Sequence, residues 1–313
     1  VSEAPAPAPL PSLSIVLVSW NAARVLSRCL AALDPIEHEV IVVDNASTDE
    51  SAEVVAREFP RVRLIRNSEN RGFAGAVNIG LGACHGELVL LLNCDAIAQA
   101  GAIDRMRRVL AARPDCGAAG GALVDEAGTL QHGFHARRFP TLASLLVDLW
   151  LIDQLWPNNP VTRRYLALDR TSNAAEPVDV EQPAAACLMI RGDVLKALGG
   201  LDEGFYPAWF EDVDLCRRII SAGWRILFIP DARFTHRGGE AMRALGLTRF
   251  SRIWYRNLQR YVRKHHGRGS LVACKALVIS GMGLRVAAVV VSGRWADAGA
   301  YARVMVDALR YWP

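Results

Sequence analysis

The run Leu88-Val-Leu-Leu-Leu92, stopping at Asn93-Cys94-Asp95, limits the fold more than any other stretch of the chain. Five consecutive apolar residues leave no polar face, so the segment predicts a strand buried on both sides, at the centre of a sheet covered by helices. In open α/β sheets ligands bind beyond the carboxyl ends of the strands, where the loops diverge. Asp95 stands just past such an end. An acid there also serves as a turn residue or helix cap, so its meaning depends on what else reaches the same edge.

Three further stretches precede it in the same pattern. Ser14–Trp20 predicts a first buried strand, with Asn21 capping a helix that carries Leu26, Leu30 and Leu33. Val40–Val43 predicts a second strand ending at Asp44-Asn45, after which Ser47 and Glu50 have capping-box spacing for a helix running to Phe59. Val62–Ile65 predicts a third, leading through Asn70-Arg71-Gly72-Phe73 into another helix. Strand and helix in alternation predict a mostly parallel sheet with right-handed crossovers. Trp20-Asn21, Asp44-Asn45 and Asn93-Asp95 then share one edge. Arg71 and Gly72 add a guanidinium and a close backbone approach at a helix N-terminus, which suits a phosphate. Neither G-x-G-x-x-G nor G-x-x-x-x-G-K-[ST] occurs, which argues against a dinucleotide-redox fold and a P-loop NTPase.

Two later stretches carry candidate chemistry. Phe205 to Ile219 places Trp209, Glu211, Asp212 and Asp214 at the start of an amphipathic helix. Acids in a first turn complement the helix dipole, but a carboxylate walled by aromatic residues also serves as a base. Ile226–Pro230 predicts a short strand, with His236 beyond it and Gly238-Gly239 turning the chain away. Between these blocks, residues 130–175 read as an irregular helical insertion containing Arg137-Arg138; it either shapes an acceptor groove or is a packing excursion.

Seven cysteines, odd in number and never spaced C-x-x-C, argue against a disulfide framework or structural zinc and for a reducing compartment. Net charge is only +4 over 313 residues, and no stacking or groove-reading module is present, so nucleic acid is not an expected partner. Residues 1–11 read as a disordered Pro/Ala tail and not as a signal peptide. Residues 249–268 carry seven basic side chains and no acid, with Phe250, Trp254, Leu258 and Val262 on one face and Arg252, Arg256, Arg260 and Arg263 on the other. Two readings stay open: a helix on an anionic membrane surface, or one packed on the domain. Within 271–293, Lys275 and Arg285 interrupt the apolar residues, so this part is expected to be a peripheral or dimerising helix and not a transmembrane one.

Taken together, Ser19-Trp-Asn21, Val43–Asp49, Asn70–Phe73 with Asn78, Leu92–Asp95, Phe210–Cys216 and His236-x-Gly-Gly239 resemble the inverting family 2 glycosyltransferases, most closely the bacterial rhamnosyltransferase-like members that build cell-surface polysaccharides. The resemblance covers about residues 12–265. It implies a GT-A fold over 12–240 with a C-terminal helical region at 241–313, a nucleotide-diphosphate sugar donor, and a divalent cation, Mg²⁺ or Mn²⁺. By the same resemblance Trp20, Asn21, Asp44, Asn45, Arg71, Gly72, Asn93 and Asp95 contact the donor, with Asp44 on the base. Asp95 is the last acid of a D-x-D metal motif, completed by His236. Asp212, with Glu211 beside it, is the catalytic base, and Trp209 flanks the acceptor. Two departures stand out: Asn93 replaces the first acid of D-x-D, and Ala185-Ala186 replaces the usual Gly-Ala pair. The implied activity is transfer of a sugar, foremost L-rhamnose from dTDP-rhamnose, to a glycolipid or polysaccharide acceptor, in the cytoplasm or on the inner face of the cell membrane, with homo-oligomerisation left open. The alternatives are another donor such as a UDP-hexose, or a nucleotide-sugar-binding module without turnover.

Overall fold

The computed structural model describes residues 9–33, 38–238 and 240–313. Most of the tail expected at 1–11 lies outside these residues, as does Gly239. The first half follows the expected alternation: β1 (Leu13–Ser19), α1 (Ala23–Ala31), β2 (Glu39–Asp44), α2 (Ser51–Glu58), β3 (Arg63–Arg66), α3 (Gly72–Leu81) and β4 (Leu88–Leu92). Then come β5 (Ala96–Ala98), α4 (Ala102–Ala112) and β6 (Cys116–Val124). The insertion holds α5 (Leu142–Leu149), α6 (Ile152–Leu155), α7 (Pro160–Tyr165) and α8 (Leu168–Thr171). It returns through β7 (Val178–Asp179), β8 (Cys187–Arg191), α9 (Gly192–Leu198), α10 (Glu211–Ser221) and β9 (Arg225–His236). The chain finishes with α11 (Glu240–Val291), broken at Gly246 and Gly267, and α12 (Trp295–Arg310).

These strands make one sheet in the order β3-β2-β1-β4-β8-β6-β9-β5, with β7 also on β9. The half containing β3, β2, β1 and β4 is wholly parallel, whereas β8 runs against both β4 and β6. The all-apolar β4 has the expected cause: Leu88, Leu90 and Leu92 enter the core on one face of the sheet, and Val89 and Leu91 the core on the other. Fully burying a leucine stabilises by roughly 1.5–3 kcal/mol, so a polar residue anywhere in this strand would be costly. All seven cysteines are free.

Local signals failed where a loop offered better partners. Glu50 is the N-cap residue of α2 but makes no side-chain cap bond, and Ser47 instead accepts a hydrogen bond from the Asn21 amide at 3.0 Å. Asn21 does not cap α1; its Oδ1 accepts from the Thr48 amide at 2.8 Å. The pair therefore ties the β1 and β2 loops together. The strand expected at 226–230 continues to His236, because a register shift against β6 between Gly121 and Ala122 accommodates Pro230.

The C-terminal region packs on the domain. Leu258, Tyr261, Val262, Leu271, Cys274, Val278 and Met282 form one core with Phe205, Phe210 and Leu149. The basic face of 249–268 is largely occupied: Arg252 pairs with Asp307 at 2.5 Å, Arg256 donates to the Tyr206 carbonyl, and Arg260 pairs with Asp202 at 3.2 Å. The two charges expected to interrupt the apolar run at 271–293 both meet partners in the structure. Lys275 is buried with its ammonium 3.9 Å from the Trp312 ring centroid, and Arg285 donates to the Asp148 carbonyl at 2.7 Å. The segment Leu245–Val291 is long and apolar enough to cross a membrane by length and composition, contrary to the count from uncharged runs. One face of it is buried against α5 and α12.

Candidate active site

The β1, β2 and β4 ends meet as neighbours. Asp44 pairs in register with Ser19, and β4 lies on the other side of β1, so Asp44 and Asn93 are separated by two strand spacings, roughly 10 Å. Asp44 is buried; its Oδ2 accepts from the Ser47 amide at 3.2 Å, while its Oδ1 has no partner among the described residues. Such an orphaned acceptor at a strand end typically costs about 1–3 kcal/mol, which a ligand N–H would recover. Trp20 stands exposed beside it.

Asn45, expected at the donor, has its side chain engaged within the loop. Its Nδ2 donates to Asn70 Oδ1 at 3.0 Å and to the Gly72 carbonyl at 3.1 Å, and its Oδ1 accepts from Asn67 Nδ2 and the Arg71 amide, both at 3.0 Å. With every polar atom committed, Asn45 shapes the loop that presents Arg71. The Arg71 side chain is half exposed, 3.3 Å from Glu69. Gly72 has φ +72°, and a Cβ there would meet Tyr206 Cδ2 at 2.8 Å and the Pro207 carbonyl at 2.9 Å. The Phe73 amide donates to that same carbonyl at 2.6 Å, which joins this loop to the segment leading into α10.

Asp95 and His236 converge. The antiparallel β5–β9 pair puts Ala96 opposite His236, leaving Asp95 Oδ1 3.4 Å from His236 Nε2. Asp95 Oδ2 accepts from the Gly238 amide at 3.1 Å. Gln131, which the sequence did not single out, grips His236 twice. A backbone carbonyl can only accept, so the bond to it identifies the Gln131 nitrogen and leaves Oε1 facing Nδ1. Nδ1 must therefore carry the proton, and Nε2 presents a lone pair towards Asp95. Burial holds the imidazole below its usual pKa, with Asp95 opposing, and so favours the neutral form. Two electron-pair donors 3.4 Å apart fit a shared cation. Among the described residues no group of three His, Cys, Asp or Glu side chains is assembled, so a hard six-coordinate ion would take its other ligands from diphosphate oxygens and water.

Asp212 is the second residue of α10. Its Oδ2 accepts from the Ala185 amide at 3.2 Å and lies 3.5 Å from Gln182 Nε2; the next residue, Ala186, accepts from the Asn93 amide at 3.1 Å. Asp212 is thus joined to the β4 end through the Ala185-Ala186 backbone, not by direct contact with Asp95. Burial pushes its carboxyl up, against the opposing effect of backbone N–H bonds. Glu211 is more deeply buried, with Oε2 unpartnered among the described residues, and burial pushes it well above the carboxylate range. Trp209 and Phe210 hold positive φ, 72° and 75°, a strained arrangement for large side chains at the head of a helix. The Trp209 ring packs edge-on against Phe250, centroids 4.8 Å apart, with part of its surface exposed.

Residues 11–265 match the sequence profile described as glycosyltransferase like family 2. The chain belongs to that family. One relative, the N-acetylglucosaminyl-diphospho-decaprenol L-rhamnosyltransferase of Mycobacterium tuberculosis, is 30% identical over 240 residues, covering 72% of this chain and 75% of that protein. Among solved structures, the mannosyltransferase PcManGT from Pyrobaculum calidifontis, in complex with GDP-Man and Mn²⁺, aligns with a TM-score of 0.56 at 18% identity, over 98% of this chain and 88% of the other. GalNAc-T7 with UDP, GalNAc and Mn²⁺ aligns at 0.52 and 17% identity, over 78% and 47%. This family 2 glycosyltransferase therefore has the expected GT-A architecture, a mixed α/β domain with a C-terminal helical region.

Proposed function

We propose that the enzyme moves a sugar, with L-rhamnose from dTDP-rhamnose the first candidate, from a nucleoside diphosphate to a lipid-linked or polysaccharide acceptor, inverting the anomeric centre in one step. The observation that carries this reading is the 3.4 Å approach of Asp95 Oδ1 to His236 Nε2 on the sheet edge that also ends in Asp44. The 30% identical relative, named for L-rhamnosyl transfer to N-acetylglucosaminyl-diphospho-decaprenol, supports the choice of sugar and of a lipid-linked acceptor.

In this reading Asp44 accepts a hydrogen bond from the nucleobase through its free Oδ1, while Trp20 and Asn21 flank the nucleoside. Arg71 and the Gly72 backbone approach the diphosphate. Asp95 and His236 would hold the divalent cation, with Asn93 beside them, and when bound the cation would supply charge neutralisation for the departing diphosphate. Asp212 removes the proton from the incoming acceptor hydroxyl, a role favoured by its raised pKa, because a stronger base is matched to a hydroxyl near neutral pH. Burial and the neighbouring Asp212 charge push the Glu211 carboxyl up, which disfavours a second negative charge beside that base. Trp209 offers the acceptor sugar a ring face. A lipid-linked acceptor would place the enzyme at the inner face of the cell membrane.

The test is a donor screen with Mg²⁺ or Mn²⁺, comparing dTDP-rhamnose, UDP-hexoses and GDP-mannose. Metal-dependent sugar release with inverted product supports the reading, whereas tight nucleoside diphosphate binding without any release would identify a binding module.

A further inference from the structure

The insertion contains a basic groove of about 440 Å³ lined by Arg138, Pro160, Arg163, Arg164 and Asp169. That volume lies in the range of small-molecule sites. Three guanidinium groups face one carboxylate, and Asp169 is already committed to Arg138 at 2.5 Å. Arg163 and Arg164 have no acidic partner among the described residues, and Arg138 Nε is buried without any hydrogen-bond partner among them. Favourable placement in the last turn of α7 accounts for Arg163 and Arg164 singly. It does not account for the third arginine, brought from a different segment to the same groove.

The position of the groove supplies the rest. The Arg138 amide donates to the Tyr165 carbonyl at 2.8 Å, fixing α7 against residues 137–138. Arg137 exchanges two backbone bonds with Gln182, at 2.8 and 3.0 Å, and Gln182 Nε2 is the group 3.5 Å from Asp212. Pro160, in the groove lining, follows Asn159, which caps α7 and donates to the Trp156 carbonyl at 2.8 Å. Leu155 and Trp156 are 86% and 59% exposed. Asp212, the clustered guanidinium groups and the exposed apolar side chains are thus linked in that order by successive hydrogen bonds and short chain segments. A hydroxyl-bearing sugar, a diphosphate and a hydrocarbon chain follow one another in a lipid-linked acceptor in the same order.

We propose that Arg138, Arg163 and Arg164 bind the diphosphate of such an acceptor, with Leu155 and Trp156 meeting the start of its hydrocarbon chain. Paired guanidinium forks match phosphate oxygens, which an alkyl glycoside lacks. The proposal rests on the lipid-linked reading of the acceptor given above.

The experiment uses the full chain and the double variant Arg163→Glu/Arg164→Glu, with Arg164→Ala as a milder control should the double variant fold poorly. Each is assayed with a short-chain prenyl diphosphate-linked sugar and with the same sugar as a neutral alkyl glycoside. The expected result is a tenfold or greater rise in KM for the diphosphate acceptor in the double variant and a smaller one in the control. Donor KM, kcat at saturation and activity on the alkyl glycoside stay within about twofold. Equal losses on both acceptors, or no change in KM, would overturn the site. So would loss of binding to phosphatidylglycerol vesicles with KM for the soluble diphosphate acceptor unchanged, since the arginines would then be reading lipid headgroups. If the wild type transfers to neither acceptor, the functional reading has failed instead, and titration of inorganic pyrophosphate in EDTA decides the site separately. A binding event present in the wild type and missing in the double variant keeps it; identical titrations remove it.

Discussion

Gln131 holds His236 at both ends, donating to its carbonyl at 2.6 Å and accepting from Nδ1 at 2.8 Å. Outer partners of metal-binding imidazoles typically contribute 10–100-fold in metal affinity by fixing ring orientation and tautomer. Gln131→Leu is therefore expected to weaken Mn²⁺ binding in the presence of nucleoside diphosphate by about that factor. Electron paramagnetic resonance of free Mn²⁺ reads this without any turnover. An unchanged titration would show that Gln131 merely closes the loop after β6.

Asp212→Asn keeps the shape and removes the proposed base. Transfer is expected to fall by about 10²–10⁴-fold while nucleoside diphosphate affinity, measured by calorimetry, stays within about twofold. Because burial raises the Asp212 carboxyl, the acid limb of kcat against pH should lie above the ordinary carboxylate range. Parallel loss of donor binding and transfer in the variant would remove the assignment.

Asp214 couples α10 to the C-terminal helices and makes a separate prediction about stability. It is fully buried and accepts from Arg218 at 2.8 Å and from Lys264 and His265 at 2.7 Å, contacts that bring its carboxyl down to about 2 against the desolvation that opposes them. A depressed folded-state pKa contributes stability that is present above the unfolded value, near 3.8, and is lost as pH falls through that value towards about 2. The shift corresponds to about 2 kcal/mol. Urea unfolding between pH 5 and pH 2 should show this loss in the wild type, and Asp214→Asn should be less stable at pH 5 and flatter across the window. Identical pH slopes for the two proteins would contradict the assignment.

Gly72→Ala tests the junction between the donor loop and the α10 approach. The added methyl would meet Tyr206 and the Pro207 carbonyl inside normal contact distance, on a backbone with positive φ. The expected cost is about 1–3 kcal/mol in stability with a raised donor KM. Thermal unfolding and donor kinetics of the variant would refute the prediction by matching the wild type.

How much of this was legible in advance depended on range. Leu88–Leu92 announced a strand buried on both faces because its own composition excludes any polar face, and Asp44 and Asp95 could be placed at strand ends from the same patterns. The Ser47 and Glu50 spacing misled because Asn21, distant in sequence, offered Ser47 a better bond. Lys275 and Arg285 read as interruptions of an apolar run, and only the fold supplies their partners, the Trp312 ring and the Asp148 carbonyl. Asn45 matched a donor-binding motif, yet its amide is spent on the loop at 67–72.

By itself the sequence determined the alternation of strands and helices, the polar strand ends and the family, because these depend on residue periodicity and on motifs whose members lie close together. Only the tertiary structure decided that β5 pairs with the end of β9, which brings Asp95 to His236, that Gln131 sets the proton on that histidine, and that Asp212 hangs from the Ala185 amide. Hydrogen bonds form between whatever groups the packed chain brings within about 3 Å, and that proximity is a property of the fold as a whole, not of any segment within it.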